Sequence, residues 1–303
     1  MSRAFGSLQA LDKVSFQVRP GRLTGFVGAN GAGKTTAMRI IMGVLSSDSG
    51  EVEFEGRPTS PQVASGFGYM PEERGLYPKM GVREQLVFFA ELHGLDSAKA
   101  RQNTDGLLER LGLTARAADK VEKLSLGNQQ RAQIAAALVH DPAALILDEP
   151  FSGLDPMAVD VVMGVLRDFA SRGAPILFSS HQLDVVERIT DDLVIIAAGQ
   201  VKAQGATAAL RERYAGSRYR LTVPSALGAA AEARIAAIPG VGAVNVTGDG
   251  AGGTGTASGT EICFDAEPGV AQQALAETVA VGPVEGFGRV VPPLSEVFKE
   301  VVA

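Results

Sequence analysis

"GFVGANGAGKTTAMRI", Gly25 to Ile40, decides the reading of this chain, because a stretch too glycine-rich to pack stands between an apolar run and a helix-forming one. Gly28, Ala29, Asn30, Gly31, Ala32, Gly33, Lys34 and Thr35 satisfy G-x-x-x-x-G-K-[ST]. "LTGFV" before them reads as a buried strand, and "TTAMRIIMGVL" after them carries apolar residues at helical spacing. In a strand–loop–helix setting the glycines let backbone N–H groups point inward, and the helix N-terminus adds its positive dipole end. A polyphosphate fits such a cradle: Lys34 reaches the β and γ phosphates, and the Thr35 hydroxyl is a ligand for Mg²⁺.

The remaining composition narrows the class. With 303 residues, 46% of them hydrophobic, the chain can bury a sizeable core. A formal charge of −6 is the wrong sign for holding phosphodiester backbones by counterion release, so nucleic acid is not an expected partner. The single cysteine, Cys263, sits in an alternating apolar run and reads as a small packed hydrophobe in a reducing cytoplasm. "MSRAFGSLQA" lacks a signal-peptide core, and no run of eighteen apolar residues occurs, so any membrane role is expected through a separate partner.

Two further apolar runs end in chemistry-bearing residues. "AALILDEPFSGLDP", residues 143–156, places Asp148 and Glu149 at the carboxyl end of a strand, where ligands of open parallel sheets sit. Asp148 is suited to the Mg²⁺ shell and Glu149 to polarising the attacking water, although the pair taken alone reads as a solvated strand end. "ILFSSHQLDVVERI", residues 176–189, repeats the pattern with Ser179, Ser180 and His181; a lone histidine is more often structural, but this one can donate to a γ-phosphate. In "KLSLGNQQRAQIAAALVH", residues 123–140, Ser125 precedes a helix expected from about Asn128 to His140, either as an ordinary N-cap or as a second anion site.

Together these residues resemble the ATP-binding subunit of an ABC transporter over residues 1 to about 213. The resemblance aligns Phe5 with an adenine-stacking aromatic and Gly28 to Thr36 with the phosphate loop, including Asn30, Ala32 and Thr36. "LSLGN", Leu124 to Asn128, matches a signature usually written LSGGQ. Asp148 and Glu149 match the magnesium and catalytic carboxylates, "SGLD" ending in Asp155 a loop that communicates across a dimer, and His181 a switch histidine. The fold it implies is an α/β P-loop NTPase cassette, a RecA-like core plus a helical subdomain. The family implies two subunits packed head to tail around two ATP molecules, each held by one copy's loop and by Ser125, Gly127 and Asn128 of the other. It also implies an integral membrane subunit, docked near "MGVREQLVFFAELHGL" (residues 80–95, with Phe88 and Phe89), and a location on the cytoplasmic face of the membrane.

Three positions depart from the commonest pattern. Glu72 in "GYMPEERGLYP" stands where a metal-touching glutamine is usual; a carboxylate can still ligate Mg²⁺ but adds charge. Leu126 and Asn128 replace a glycine and a glutamine of the signature, while Ser125 and Gly127 are kept. Phe5 lies nearly at the first residue, so either the start lies upstream or an edge strand is short.

After "LRERYAGSRY" the character changes, giving an expected division into 1–213 and 214–303. "YRLTV", "ARIAAI", "VGAVNVT", "TEICFDA", "VAQQALAETVA" and "VEGFGRVV" read as β, α, β, β, α, β, a small ferredoxin-like α/β domain. "GDGAGGTGTASG", residues 248–259, reads as a mobile hairpin loop, and "PPLSEVFKEVV" as a terminal helix. The tail resembles the extension of efflux-type ABC ATPases, which makes export the expected direction. The rivals are a soluble ABC ATPase with a mechanochemical role and a regulatory nucleotide-binding module; Glu149 speaks against a module that does not turn over.

Overall fold

The computed structural model describes residues 1–73, 75–247 and 259–302, so the glycine-rich stretch at 248–258 lies outside the described residues. The chain divides into two compact units, Met1–Leu210 with Leu294–Ala303, and Arg211–Pro293.

The first unit opens with a two-stranded antiparallel ribbon, β1 (Arg3–Phe5) and β2 (Leu8–Leu11). β3 (Leu23–Val27) follows, buried at every position, and leads through residues 28–33 into α1 (Lys34–Ile41). A small ribbon of β4 (Glu53–Phe54) and β5 (Arg57–Pro58) and the short α2 (Pro61–Ala64) precede β6 (Gly68–Met70). The helical insertion comes next: α3 (Val82–Leu92), α4 (Ser97–Arg110) and α5 (Leu126–Leu138). Asp96 caps α4 by accepting from the amides of Ala98 and Lys99, and buried Leu86, Leu107, Leu108, Leu111 and Leu113 give the insertion its own apolar centre.

The chain then returns to the sheet with β7 (Leu145–Leu147), α6 (Pro156–Ser171), β8 (Ile176–Ser180), α7 (Leu183–Ile189), β9 (Asp192–Ala197), β10 (Gln200–Ala206) and α8 (Thr207–Arg213). The six-stranded sheet has the order β10-β9-β3-β8-β7-β6 and is parallel except for β10. Its inner strands β9, β3, β8 and β7 are buried at nearly every position, as in a parallel sheet covered on both faces. β3, β8 and β7 are neighbours in register, Val27 beside Ser180 and Leu147 beside Phe178, so three strands deliver their carboxyl ends to one edge. This is the cassette architecture that the resemblance implies.

The second unit runs β11 (Arg218–Pro224), α9 (Gly228–Ala236), β12 (Val244–Thr247), β13 (Gly259–Asp265), α10 (Pro268–Val279) and β14 (Gly286–Arg289). Its antiparallel sheet, ordered β12-β13-β11-β14, is the ferredoxin-like arrangement the sequence predicts. Leu221, Val223, Ile235, Ile262 and Phe264 form its core, and Tyr219 stacks on Phe264 and Phe287.

The terminal helix α11 (Leu294–Val302) belongs with the first unit, although the predicted division at 213 groups it with the second. Its buried residues, Leu294 and Val297, face α7, β9 and β10, and the Leu294 amide donates to the Glu187 carboxylate at 2.7 Å, an acid at a helix N-terminus.

Candidate functional site

The site forms where β3, β7 and β8 end. Two glycines of the loop adopt left-handed backbone, Gly31 at φ +79° and Gly33 at φ +107°. A Cβ on Gly33 would come within 2.7 Å of the Ala10 carbonyl on β2, and one on Gly28 would run into the Ile196 carbonyl of β9. A Cβ on Gly31 would meet nothing within 4 Å, so this position opens outward. Lys34 is buried, and its ammonium donates to the carbonyls of Gly28 at 2.7 Å and Ala29 at 3.2 Å. An ammonium has three donors, so a third is left for an anion above the loop.

One residue further, Thr35 Oγ1 donates to Asp148 Oδ2 at 2.8 Å, which ties the loop to the end of β7. The other oxygen of Asp148, Oδ1, accepts from the hydroxyl of Ser179 on β8. The same Ser179 Oγ accepts from the Glu149 amide at 2.9 Å. Glu149 holds a left-handed backbone, φ 52°, which costs a non-glycine residue of order 1–3 kcal/mol unless its surroundings hold it. They do: Ser179 binds its N–H, and Gln130 Nε2 on α5 donates to its carbonyl at 2.9 Å and to that of Pro150 at 3.1 Å. Thus fixed, the Glu149 carboxylate meets His181 Nδ1 at 2.9 Å. The carboxylate is nearly buried while the imidazole is mostly exposed, so the pair looks outward from the sheet edge. On β6, half-buried Tyr69 has its phenol pushed up by burial and by the Asp148 charge.

The structure therefore brings Lys34, Thr35, Asp148, Glu149 and His181 to one edge. Phe5, Glu72, Ser125, Gly127 and Asn128 lie outside that hydrogen-bond network among the described residues. Phe5 is half-exposed on β1, with the Arg3 guanidinium 5.0 Å from its ring centre. β1 pairs with β2, whose Ala10 carbonyl abuts Gly33, so the aromatic stands on the ribbon that flanks the loop. Glu72 is exposed after β6, and buried Gln133 holds the loop around it by donating to the carbonyls of Pro71 at 2.7 Å and Glu73 at 3.2 Å.

Ser125 is the N-cap of α5, accepting from the Asn128 amide at 3.4 Å, and the helix starts two residues earlier than the predicted Asn128. Asn128 turns its side-chain oxygen to Arg131, which is itself anchored on the Leu111 carbonyl at 2.7 Å. Gly127 packs beside Gly153, where a Cβ would stand 3.4 Å from the carbonyl. Asp155 caps α6 by accepting from the Ala158 amide at 2.8 Å, and Pro156 fills the first helical position.

Sequence reasoning missed Ser179 as a partner of both carboxyl residues, and missed Gln130 and Gln133 altogether. Their one sequence signal is polarity on the inward face of α5, in step with buried Ile134, Ala137 and Leu138.

Comparison with known proteins gives the family. Residues 11–152 match the family model described as "ABC transporter". The ABC transporter ATP-binding protein YhaQ of Bacillus subtilis strain 168 is 43% identical over 205 residues, covering 68% of this chain and 69% of the relative. The Nod factor export ATP-binding protein I of Paraburkholderia xenovorans strain LB400 is 36% identical over 213 residues, covering 69% and 70%. A solved ATP-binding subunit of an ABC transporter superposes with a TM-score of 0.65 at 31% identity, over 70% of this chain and 90% of that one. A phosphate loop closed on Asp148, with a carboxylate–imidazole pair beside it, thus sits in a chain that belongs to the ABC transporter family as an ATP-binding, ATP-hydrolysing subunit.

Proposed function

We propose that two copies of this chain close head to tail on two ATP molecules, that hydrolysis reopens them, and that a separate membrane subunit converts the motion into export. The observation that carries this reading is the convergence of Lys34, Thr35, Asp148, Glu149 and His181 at the ends of three adjacent strands. The amides of residues 28–36 and the Lys34 ammonium hold the β and γ phosphates, and Phe5 stacks on the base. Across the pair, Ser125, Gly127 and Asn128 present the dipole end of α5 to the γ-phosphate, and Asp155 lies at the seam.

Thr35 Oγ1 and Asp148 Oδ2, 2.8 Å apart, are hard oxygen donors of the kind Mg²⁺ prefers, and Glu72 adds a third oxygen from its exposed loop. Mg²⁺ held by these oxygens would supply neutralisation of the charge that develops on the phosphates. Glu149 takes the proton of the attacking water as that water closes on the γ-phosphorus and the γ-phosphorus–oxygen bond to the β-phosphate breaks, leaving ADP and inorganic phosphate. His181, when protonated, donates from Nδ1 to Glu149 and from Nε2 to a γ-phosphate oxygen.

The membrane subunit docks on the helical insertion, where Tyr77, Phe88 and Leu92 expose apolar surface and Tyr77 stacks on Phe89. No helix among the described residues is long and apolar enough to cross a membrane. The docked chain lies on the cytoplasmic face, held there by its membrane subunit. Export is supported by the name of the Nod factor relative.

Replacing Glu149 with Gln tests the mechanism: turnover stops while ATP stays bound and the chain dimerises in its presence. Persisting turnover removes Glu149 from the role of base. Co-purification with an integral membrane protein tests the transport role against a free-standing mechanochemical one.

A further inference from the structure

We propose that Ser179 is a positioning residue for hydrolysis, setting the metal-facing carboxylate and the base together through one hydroxyl. This rests on the reading of Asp148 as the metal carboxylate and Glu149 as the base.

Ser179 is wholly buried near the end of β8, the strand between β3 and β7. Its hydroxyl has one proton and two lone pairs. The proton goes to Asp148 Oδ1, and a lone pair takes the Glu149 amide at 2.9 Å. The direction of this relay is forced, because a carboxylate only accepts and an amide only donates. One consequence concerns the metal site. With Oδ1 fixed by Ser179, the carboxylate plane is set and Oδ2 faces Thr35 Oγ1 at 2.8 Å. Outer-shell hydrogen bonds of this kind typically change metal affinity about 10–100-fold when removed.

The second consequence concerns the base. Glu149 holds a left-handed backbone that a non-glycine residue leaves when it is released. Its N–H is held by Ser179 and its C=O by Gln130. Losing the first bond frees the turn that aims the carboxylate at His181. Ser179 thus touches both functions, whereas Gln130 touches only the carbonyls of Glu149 and Pro150. The two residues therefore have different signatures, and a general loosening of the fold has neither.

The test uses Ser179→Ala, Ser179→Thr and Gln130→Leu in the full chain. Two readouts are taken: steady-state ATPase, and Mn²⁺ titration by electron paramagnetic resonance on protein saturated with a non-hydrolysable ATP analogue. For Ser179→Ala, kcat falls at least about tenfold with the KM for ATP within about threefold, and Mn²⁺ binds about tenfold more weakly. Ser179→Thr, which keeps the hydroxyl, recovers both. Gln130→Leu lowers kcat and leaves Mn²⁺ affinity within about twofold. If Ser179→Ala does not fold, Ser179→Cys, similar in size and a poor donor, takes its place with the same expectation. Wild-type kcat and Mn²⁺ affinity in Ser179→Ala, or equal Mn²⁺ weakening in Gln130→Leu, overturns the positioning role. Glu149→Gln separates the two levels: if it still turns over, the base assignment fails, whereas wild-type kcat and Mn²⁺ affinity in Ser179→Ala beside an inactive Glu149→Gln remove the positioning role of Ser179 alone.

Discussion

The imidazole of His93 lies flat on that of His140, ring centres 3.9 Å apart and planes 14° from parallel. His93 sits just past α3 and His140 just past α5, so the stack joins the ends of two helices of the insertion. Nδ1 of His93 donates to the Phe89 carbonyl at 2.9 Å, fixing one ring.

A pH dependence of stability follows. Burial, and then the neighbouring His93, lower the pKa of His140 from 6.5 to about 4. The unfolded chain therefore binds a proton here that the folded chain refuses between these values. The stacked pair's contribution is complete above about pH 6.5 and is lost as pH falls towards 4. Thermal melts of wild type and His140→Gln between pH 4 and 8 check this: the wild-type melting temperature drops faster on acidification, and the two curves run parallel above pH 7.

Phosphate binding is expected to depend steeply on two loop residues. Lys34→Ala removes the ammonium that closes on Gly28 and Ala29, and Thr35→Ala removes the hydroxyl that meets Asp148. Charge-assisted hydrogen bonds are worth about 1.5–3 kcal/mol each, so ATP affinity in Lys34→Ala is expected to weaken about 10–100-fold. Equilibrium binding of a fluorescent ATP analogue measures this. Thr35→Ala is expected to show its deficit only when Mg²⁺ is supplied.

Gly33→Ala is expected to damage stability and binding together. The added methyl meets the Ala10 carbonyl at 2.7 Å, in a left-handed backbone that alanine disfavours by about 1–2 kcal/mol. Gly31→Ala carries the backbone cost without the collision. Its melting temperature is expected between those of Gly33→Ala and wild type, as differential scanning calorimetry would show.

The terminal helix offers a fourth test. Glu187→Ala removes the carboxylate that receives the Leu294 amide, an N-terminal contact worth about 0.5–2 kcal/mol. Native-state hydrogen exchange is expected to speed up in residues 294–302 while the amides of β3 and β8 keep their protection. Equal acceleration everywhere would mean that α11 is not a separate cooperative piece.

The parts of the fold that were legible in the sequence are those where one residue type alone satisfies a geometry. Gly33 must lack a side chain because β2 passes against it, and Lys34 follows because the helix starts there. Asp148, Glu149 and His181 were legible as polar endings of apolar strands. The order β10-β9-β3-β8-β7-β6 was not, since nothing in a buried strand's own residues says which strand it lies beside. Gln130 and Gln133 were hidden because a buried amide and a solvated one look alike until their partners are known. The bond that Asn128 makes within its own helix, accepting from Arg131 three positions on, was likewise not legible, because many side chains could have met that oxygen. The unit to which α11 belongs was illegible because an apolar stripe shows that a helix has a core, not which core.

Gln130 and Gln133 stand three positions apart on α5, one grasping the turn at Glu149 and the other the loop around Glu72. Each residue advances a helix by 100°. A single insertion or deletion between these glutamines would therefore swing one amide about a quarter-turn out of reach while sparing the other. This short span of α5 should tolerate swaps of side-chain chemistry far better than any change in length, and a one-residue indel there would uncouple the two loops even in a chain that still folds.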